Sequence, residues 1–347
     1  MALPISSATF PIVVIGASAG GVQALLELVR ALPAGFPAAI CIVQHIPAYA
    51  VSYLPDLLDK AGALPARHPQ NREPLQPGTI YVAPPDHHLL LEDDHILVSR
   101  GPKENHFRPS ADALFRSAAY THGSRVIGVV LTGYLNDGTS GLWTVQRLGG
   151  VAVVQDPQDA YANAMPQSTL EFLKPDYLVA LAELAPLLER LTAQPPPQAA
   201  TIYSEELARI TLEISISKGE NAGDQSLFQY GELTPFVCPS CQGPLVQLVE
   251  GKLVRFRCRT GHGFTLSALL AEVAEGVENK LYAAMQSLQE TRDLLHRLSA
   301  HFARQAEPTV ASALLTQAEQ AQLRAQAVYE FIVKHEALDG RWRPANI

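Results

Sequence analysis

No stretch of this sequence stays apolar and uncharged for the roughly 20 residues that a membrane-crossing helix needs, so no transmembrane span and no direct membrane insertion are expected. The N-terminal segment MALPISSATFPIVVIGASAGG lacks a basic start, and its apolar run ends in a glycine-rich turn instead of a cleavage site. A secretory leader is therefore not expected. Cysteine is scarce, with four in 347 residues, which excludes a disulfide-held scaffold. Positive charge is also in short supply. Lys and Arg number 26 against 34 Asp and Glu, for a net charge of -8. General nucleic-acid binding requires a concentrated basic surface and is excluded on that ground. Short-period repeats and extended low-complexity tracts are missing too. These absences describe a soluble, cytoplasmic protein.

What is present is an alternation of apolar runs and helical patterns through the first 190 residues. The runs at 11–18, 38–45, 78–84, 125–133 and 151–156 read as buried strands. Segments 22–31, 53–61, 110–123 and 140–149 read as helices between them. Strands rich in Val and Ile that alternate with helices of about 10 to 14 residues predict an α/β fold. It is doubly wound, with a mostly parallel sheet and helices on both faces. Residues 88–99 predict a hairpin turning at Glu92-Asp93-Asp94, added antiparallel at one edge of that sheet. The length suggests two domains as a soft prior. The expected divisions are a catalytic domain over 1–192, a linker over 193–235 that includes the Pro-rich QPPPQAA, a cysteine-bearing module over 236–264, and a helical region over 265–347. A break between two helices is expected at Glu307-Pro308.

One strand ends in V-I-G-A-S-A-G-G-V, which puts Ser18 at the carboxyl end of a strand and close to a helix start. Open parallel sheets bind their ligands there, and the helix dipole favours developing negative charge by roughly 0.3–1 kcal/mol. A phosphate or dinucleotide cradle is the competing reading. However, the motif is not G-x-G-x-x-G, and the second strand ends in Gln44-His45 instead of an acidic residue. The glycines could also simply build a turn. His45 stands where an imidazole can reach Ser18 as a general base, although the chain has 11 histidines and a structural role competes. Asp137 follows a later strand in LTGYLNDGTSG, where an Asp-Gly pair also serves as turn chemistry or a helix cap. The three together carry the argument. A nucleophile, a base and an orienting carboxylate all fall at expected carboxyl ends of parallel strands, and triads are recognised by such roles.

Six motifs in order extend this reading: GASAGG at 16–21, VQH at 43–45, IYVAPPDHHL at 80–89, FRPSADALF at 107–115, LTGYLNDG at 131–138 and VVQDPQDAYANAMPQSTL at 153–170. Together they resemble the catalytic domain of the chemotaxis protein-glutamate methylesterases, the CheB family, over about residues 11–190. The resemblance implies Ser18 as nucleophile, His45 as general base and Asp137 as the carboxylate that orients His45. It also implies hydrolysis of methyl esters on glutamates of a methylated chemoreceptor or receptor-like protein, with release of methanol, and in many members deamidation of receptor glutamines. No cofactor is implied for catalysis. The family's usual Leu-Thr-Gly-Met-Gly loop is altered here, since Tyr134 and Leu135 replace Met and Gly. A leucine is not expected to adopt positive φ with ease. Arg108, Ser110 and Asp112 match the family's loop and helix start. Arg108 reads equally as a substrate-positioning residue and as half of a structural ion pair. Tyr134 and Met165 are assigned with Arg108 to the oxyanion and substrate loops. Many members begin with a phospho-acceptor receiver domain. With the catalytic strand starting near residue 11, none is expected N-terminal to it here.

Beyond the linker, FVCPSCQGPL and RFRCRTGHGF place Cys238, Cys241, Cys258 and His262 as C-x2-C, a 16-residue gap, then C-x3-H. Thiolates and an imidazole at this spacing suit tetrahedral zinc. Four protein ligands close the shell, so the expected zinc is structural and the module a zinc ribbon. Gly243 and Gly261 sit where tight knuckle turns would need them, and the segment between alternates like a hairpin. Cys41, in an apolar run, reads as a core residue. Leu281, Met285, Leu288, Leu295 and Leu298 form a stripe on the later helices. It reads as helix packing first, and second as a face for a methyltransferase or another signalling protein. Two further functional readings remain: a non-enzymatic signalling scaffold built on an esterase fold, and a hydrolase of a different ester or amide.

Overall fold

The computed structural model describes residues 9–197, 202–220 and 226–334. Part of the expected Pro-rich linker (198–200), part of the polar stretch after it (221–225), the first eight residues and the tail beyond 334 lie outside the described residues. Two units are distinguished, Met1–Ala268 and Leu269–Ile347.

In the first unit the chain runs through β1 (Ile12–Ala17), α1 (Gly21–Ala31), β2 (Ala39–Gln44), α2 (Leu54–Ala61), β3 (Ala66–Arg67), β4 (Glu73–Pro74) and β5 (Ile80–Val82). It continues with β6 (His88–Glu92), β7 (His95–Ser99), α3 (Ala111–His122), β8 (Val126–Val130), α4 (Thr139–Arg147), β9 (Val151–Gln155), α5 (Ala164–Phe172), β10 (Tyr177–Val179) and α6 (Leu181–Ala193). After α7 (Ser204–Ser217) come β11 (Glu232–Val237), β12 (Pro244–Glu250), β13 (Leu253–Cys258) and β14 (Gly263–Thr265). Then α8 (Leu266–Arg304) and α9 (Pro308–Lys334) follow.

A seven-stranded sheet in the order β10-β9-β8-β1-β2-β5-β3, with every pairing parallel, forms the centre. The apolar strands face both ways because side chains alternate along them. Ile12 and Val14 of β1 join Val126 and Val130 of β8 in one core with α3, α4 and α5. Val13 and Ile15 join Ile40 and Ile42 of β2 in the other, with α1, α2 and α6. Strands buried on both faces therefore read as nearly continuous Val and Ile. Cys41 lies fully inside, and burial pushes its thiol up, as a core residue requires.

Two expectations are corrected. The hairpin β6–β7 does not extend the parallel sheet. It pairs with β4 to make a separate three-stranded antiparallel sheet, and the edges of the main sheet are β10 and β3. The stretch expected as a linker contains α7, whose Leu207, Ile210 and Ile214 sit in the same core as Leu114, Phe115 and Ala118 of α3. The four-stranded antiparallel sheet β11-β12-β13-β14 begins at Glu232, a few residues before the expected module.

This C-terminal sheet is joined to the α/β core by buried charge. Glu104, Glu213 and Glu250 meet Arg116 of α3, Arg209 of α7, and Arg255 and Arg257 of β13. Arg116 donates to both oxygens of Glu104 at 3.0 and 3.1 Å. Arg255 and Arg257 donate to Glu213 at 2.8 and 2.9 Å. Burial alone would raise the Glu104 and Glu213 carboxyls, but the surrounding guanidinium groups hold both below the ordinary range.

In the second unit, α8 and α9 are antiparallel. Ser299 Oγ donates to Ala311 O at 2.8 Å, and Arg292 reaches Gln322. The break falls at the expected place, with Pro308 as the first residue of α9, where its missing N–H costs nothing.

Candidate active site

The site is assembled at the carboxyl ends of β1, β2 and β8. β1 and β2 are neighbours in register, Ala17 opposite Gln44, and His45 N donates to Ala17 O at 3.1 Å. Ser18 and His45 are therefore the next residues on adjacent strands, which lie about 4.8 Å apart. The turn after Ser18 passes through Gly20 at φ 79°, a left-handed conformation in which a Cβ would strike Tyr161 at 2.7 Å. Ser18 is fixed by its main chain: its N–H donates to Thr132 O at 3.0 Å and its carbonyl accepts from Gln44 Nε2 at 2.9 Å.

His45 Nε2 lies 2.8 Å from Asp137 Oδ2. The other ring nitrogen, Nδ1, is buried and has no hydrogen-bond partner among the described residues. The imidazole stacks on Phe107, with ring centroids 3.7 Å apart and planes 8° from parallel. Carboxylate below and aromatic face beside leave Nδ1 as the nitrogen free to exchange a proton.

Asp137 itself is fully buried and surrounded by donors. Ser110 Oγ donates at 2.7 Å, Ala111 N at 2.6 Å, Asp112 N at 3.3 Å and Asn105 Nδ2 at 3.1 Å. Two of these are the first residues of α3 and Ser110 immediately precedes them, so the carboxylate caps that helix from outside and meets its positive end. Burial pushes the Asp137 carboxyl up, but hydrogen bonds from His45, Ser110 and Ala111 outweigh it, and the group is held below the usual carboxylate range. Neighbouring Asp112 goes the other way. Burial and then the charge of Asp137 push it up to about 8. Asp137 therefore carries the charge at neutral pH while Asp112 keeps its proton.

The remaining expected residues divide. Met165 is fully buried beneath Gly133, where a Cβ would meet its Sδ at 2.1 Å and Ser18 Cβ at 2.8 Å, so it packs the floor of the site. Tyr134 is largely exposed at the rim. Leu135, expected to avoid positive φ, adopts φ 62°. The loop takes the conformation that suits glycine despite roughly 1–2 kcal/mol of strain. Arg108 is held by an ion pair and backbone carbonyls. Its Nε donates to Asp86 Oδ1 at 3.0 Å and its Nη1 to the carbonyl of Gly101 at 2.8 Å. The partner that the ion-pair reading calls for is Asp86.

Cys238, Cys241, Cys258 and His262 converge, with their ligand atoms all within 4.8 Å of one another. Cys241 Sγ lies 3.6 Å from Cys258 Sγ, and His262 Nδ1 lies 3.7 and 3.6 Å from the sulfurs of Cys238 and Cys258. Zinc bonds of ~2.3 Å to sulfur and ~2.0–2.1 Å to nitrogen imply tetrahedron edges of about 3.8 and 3.6 Å, which the cluster matches. In the first knuckle the left-handed residue is Gln242 at φ 61°, not Gly243. In the second it is Gly261 at φ 94°.

Asn105 and Phe107 are the site residues that sequence reasoning passed over. Both touch the motif FRPSADALF at 107–115, but their contacts with Asp137 and His45 depend on tertiary approach. An aromatic at 107 carries no catalytic signature.

An α/β protein with a serine, a histidine and a buried carboxylate at neighbouring strand ends has the form of a hydrolase fold with its site outside the sheet's carboxyl edge. The family model for CheB methylesterase matches residues 13–188. A Leptospira interrogans protein named, provisionally, protein-glutamate methylesterase/protein-glutamine glutaminase is 40% identical over 180 residues, 52% of this chain and 93% of that protein. A Methanosarcina mazei protein named protein-glutamate methylesterase/protein-glutamine glutaminase 2 is 35% identical over 182 residues, half of each chain. The crystal structure of the Thermotoga maritima CheB methylesterase catalytic domain superposes with a TM-score of 0.51 at 32% identity. It covers 53% of this chain and all of that one. The chain belongs to the CheB methylesterase family.

Proposed function

We propose that this protein is a protein-glutamate methylesterase that hydrolyses glutamyl methyl esters on a methyl-accepting chemoreceptor, and that it also deamidates glutamines there. The observation that carries the reading is His45, tied to Asp137 at 2.8 Å through Nε2 and left with Nδ1 free at the strand end next to Ser18. In the proposed reaction Ser18 Oγ attacks the ester carbonyl and His45 Nδ1 takes its proton. The imidazolium that forms is stabilised by Asp137. Collapse of the tetrahedral adduct expels methanol, protonated by His45. Water, deprotonated by the same nitrogen, then releases the glutamate and restores Ser18. The amides of Ser18, Gly21 and Gly133 are occupied by Thr132 O, Ser18 O and Ala162 O. Oxyanion stabilisation is assigned to other amides of the 18–21 and 131–138 loops. Methanol release from a methylated receptor signalling domain tests the reading, and Ser18→Ala must abolish it.

The domain reading becomes a catalytic α/β body over about residues 9–193, a metal-bearing sheet over 232–265 and a helical hairpin. The cysteine cluster is proposed as a structural zinc site, on the strength of its four-ligand geometry. Of the stripe expected on α8, Leu281, Met285, Leu288 and Leu295 are half-buried and fit helix packing, while exposed Leu298, with Leu294 one turn before it, supports a protein-docking role. Among the described residues no helix is long and apolar enough to cross a membrane.

A further inference from the structure

Residues 104 and 105 lie between the catalytic body and the C-terminal sheet and are gripped from both sides. Glu104 pairs with Arg116 of α3 and with Arg257 of β13. Asn105 N donates to Gly263 O at 2.8 Å, and Gly263 N donates back to Lys103 O at 3.2 Å. The side chain of Asn105 is buried, and all its polar atoms have partners. Its Nδ2 donates to Asp112 Oδ2 at 2.8 Å and to Asp137 Oδ1 at 3.1 Å. Its Oδ1 accepts the backbone N–H of Thr265 at 2.9 Å. The ionised Asp137 can use only the NH2 end of the amide, and a backbone N–H can use only its oxygen. The N–H of Thr265 therefore decides which way the amide faces.

A second link runs in parallel. Thr265 Oγ1 donates to Asn136 Oδ1 at 2.6 Å, and Asn136 Nδ2 donates to Ser267 Oγ at 2.7 Å. Asn136 immediately precedes Asp137. Asn105 holds φ 50° in this arrangement, an unfavourable conformation for most side chains but one that Asn tolerates.

We infer that Asn105 is a positioning residue for Asp137, oriented by β14, and that the C-terminal sheet is thereby a working part of the esterase site and not an independent appendage. Asn105 separates the charged Asp137 from the protonated Asp112 and gives Asp137 a donor opposite His45. This inference rests on Ser18, His45 and Asp137 acting as the triad.

The test uses the full chain and a fluorophosphonate probe that phosphonylates an activated serine with loss of fluoride, with methanol release measured in parallel. Wild type, Ser18→Ala, Asn105→Gly and Thr265→Val are compared at a temperature where melting curves show each to be folded. Glycine keeps the left-handed backbone at 105 while removing the amide. Thr265→Val leaves the catalytic body's own residues intact and removes the hydroxyl contact to Asn136. The expected result is labelling of wild type, none of Ser18→Ala, and labelling of Asn105→Gly about 10- to 100-fold slower, as a small misplacement of a triad member costs. kcat should fall with KM unchanged, and Thr265→Val should fall in the same direction. A purely structural role would lower the melting temperature and leave the labelling rate of folded protein unchanged. Wild-type rates in both Asn105→Gly and Thr265→Val would overturn the inference and leave the triad standing. Equal labelling of wild type and Ser18→Ala would overturn the triad itself and this inference with it.

Discussion

Replacing Glu213 by alanine removes one anion from the buried cluster that joins α7, α3 and β13. Glu213 is fully buried, accepts from Arg255 and Arg257 at 2.8 and 2.9 Å, and has Arg116 at 3.6 Å. Among the described residues, four guanidinium groups (Arg116, Arg209, Arg255, Arg257) then have ion pairs only to Glu104 and Glu250. Breaking a buried pair from one side costs about 3–5 kcal/mol, because the desolvated partner is left without compensation. For a unit of this size, about 2–4 °C per kcal/mol converts the loss to a melting temperature lower by roughly 6–20 °C. Glu213→Gln keeps the shape and one acceptor and should fall between. The pH dependence has a definite sign. Glu213 and Glu104 are held below their ordinary pKa in the fold. Their contribution is present above the unfolded value of about 4.3 and is lost as pH falls below it. Urea midpoints of wild type should therefore fall more steeply between pH 5 and 3 than those of Glu213→Ala. A loss under about 1 kcal/mol at pH 7, with parallel acid limbs, would refute the argument that this cluster fixes the C-terminal sheet to the core.

Other consequences are as direct. Asp137→Asn keeps the shape of the carboxylate but not its charge, so the imidazolium is unsupported. kcat should drop by about 10⁴ with little change in KM, and a drop under tenfold would count against the role assigned to Asp137. Asp112, pushed up to about 8, binds its proton more tightly in the fold than in the unfolded chain. Its contribution is complete below about pH 4 and is lost as pH rises to about 8, so wild-type stability should decline between about pH 4 and 8 and level off above, and that of Asp112→Asn should not show this decline. Gly133→Ala would force a Cβ against Met165 and Ser18. A slower Ser18 labelling rate is expected, and an unchanged one would show that the floor of the site yields. Cys258→Ser, or a strong chelator, should release one zinc equivalent, detected with a colorimetric indicator, and lower the melting temperature. Purified protein with neither zinc nor a chelator response would dismiss the metal site.

Much of this was legible in the sequence because local chemistry and global fold agree. Continuous Val and Ile at 12–15 and the nearly continuous run at 126–130, with helices between, fit strands buried on both faces. Ser18 and His45 stand directly after such runs, so parallel pairing makes them neighbours, whereas Asp137 lies further along the loop after β8 and meets His45 through tertiary approach. The paired cysteines announced themselves by spacing. What stayed hidden depends on distant approach. The 204–217 segment carries Arg209 and Glu213 at helical spacing and reads as an ordinary amphipathic stretch. Its charges are buried only because β13 brings Arg255 and Arg257 to meet them. Asn105 looks like a loop residue until β14, 160 positions later, supplies the N–H that orients it. Arg108 was ambiguous because Asp86, its partner, gives no sign in the sequence of where it lies. The tautomer could not be foreseen either: which ring nitrogen of His45 faces Asp137 depends on side-chain direction, not on order in the chain.

The central claim is that Ser18 is the nucleophile of a glutamyl methyl ester hydrolase. It is tested most directly by incubating a receptor signalling domain, methylated with a labelled methyl group, with wild type and with Ser18→Ala, and measuring volatile labelled methanol. Release by wild type and background from a folded Ser18→Ala is the predicted result. Equal release by both, or none from wild type on a fully methylated substrate, would contradict it.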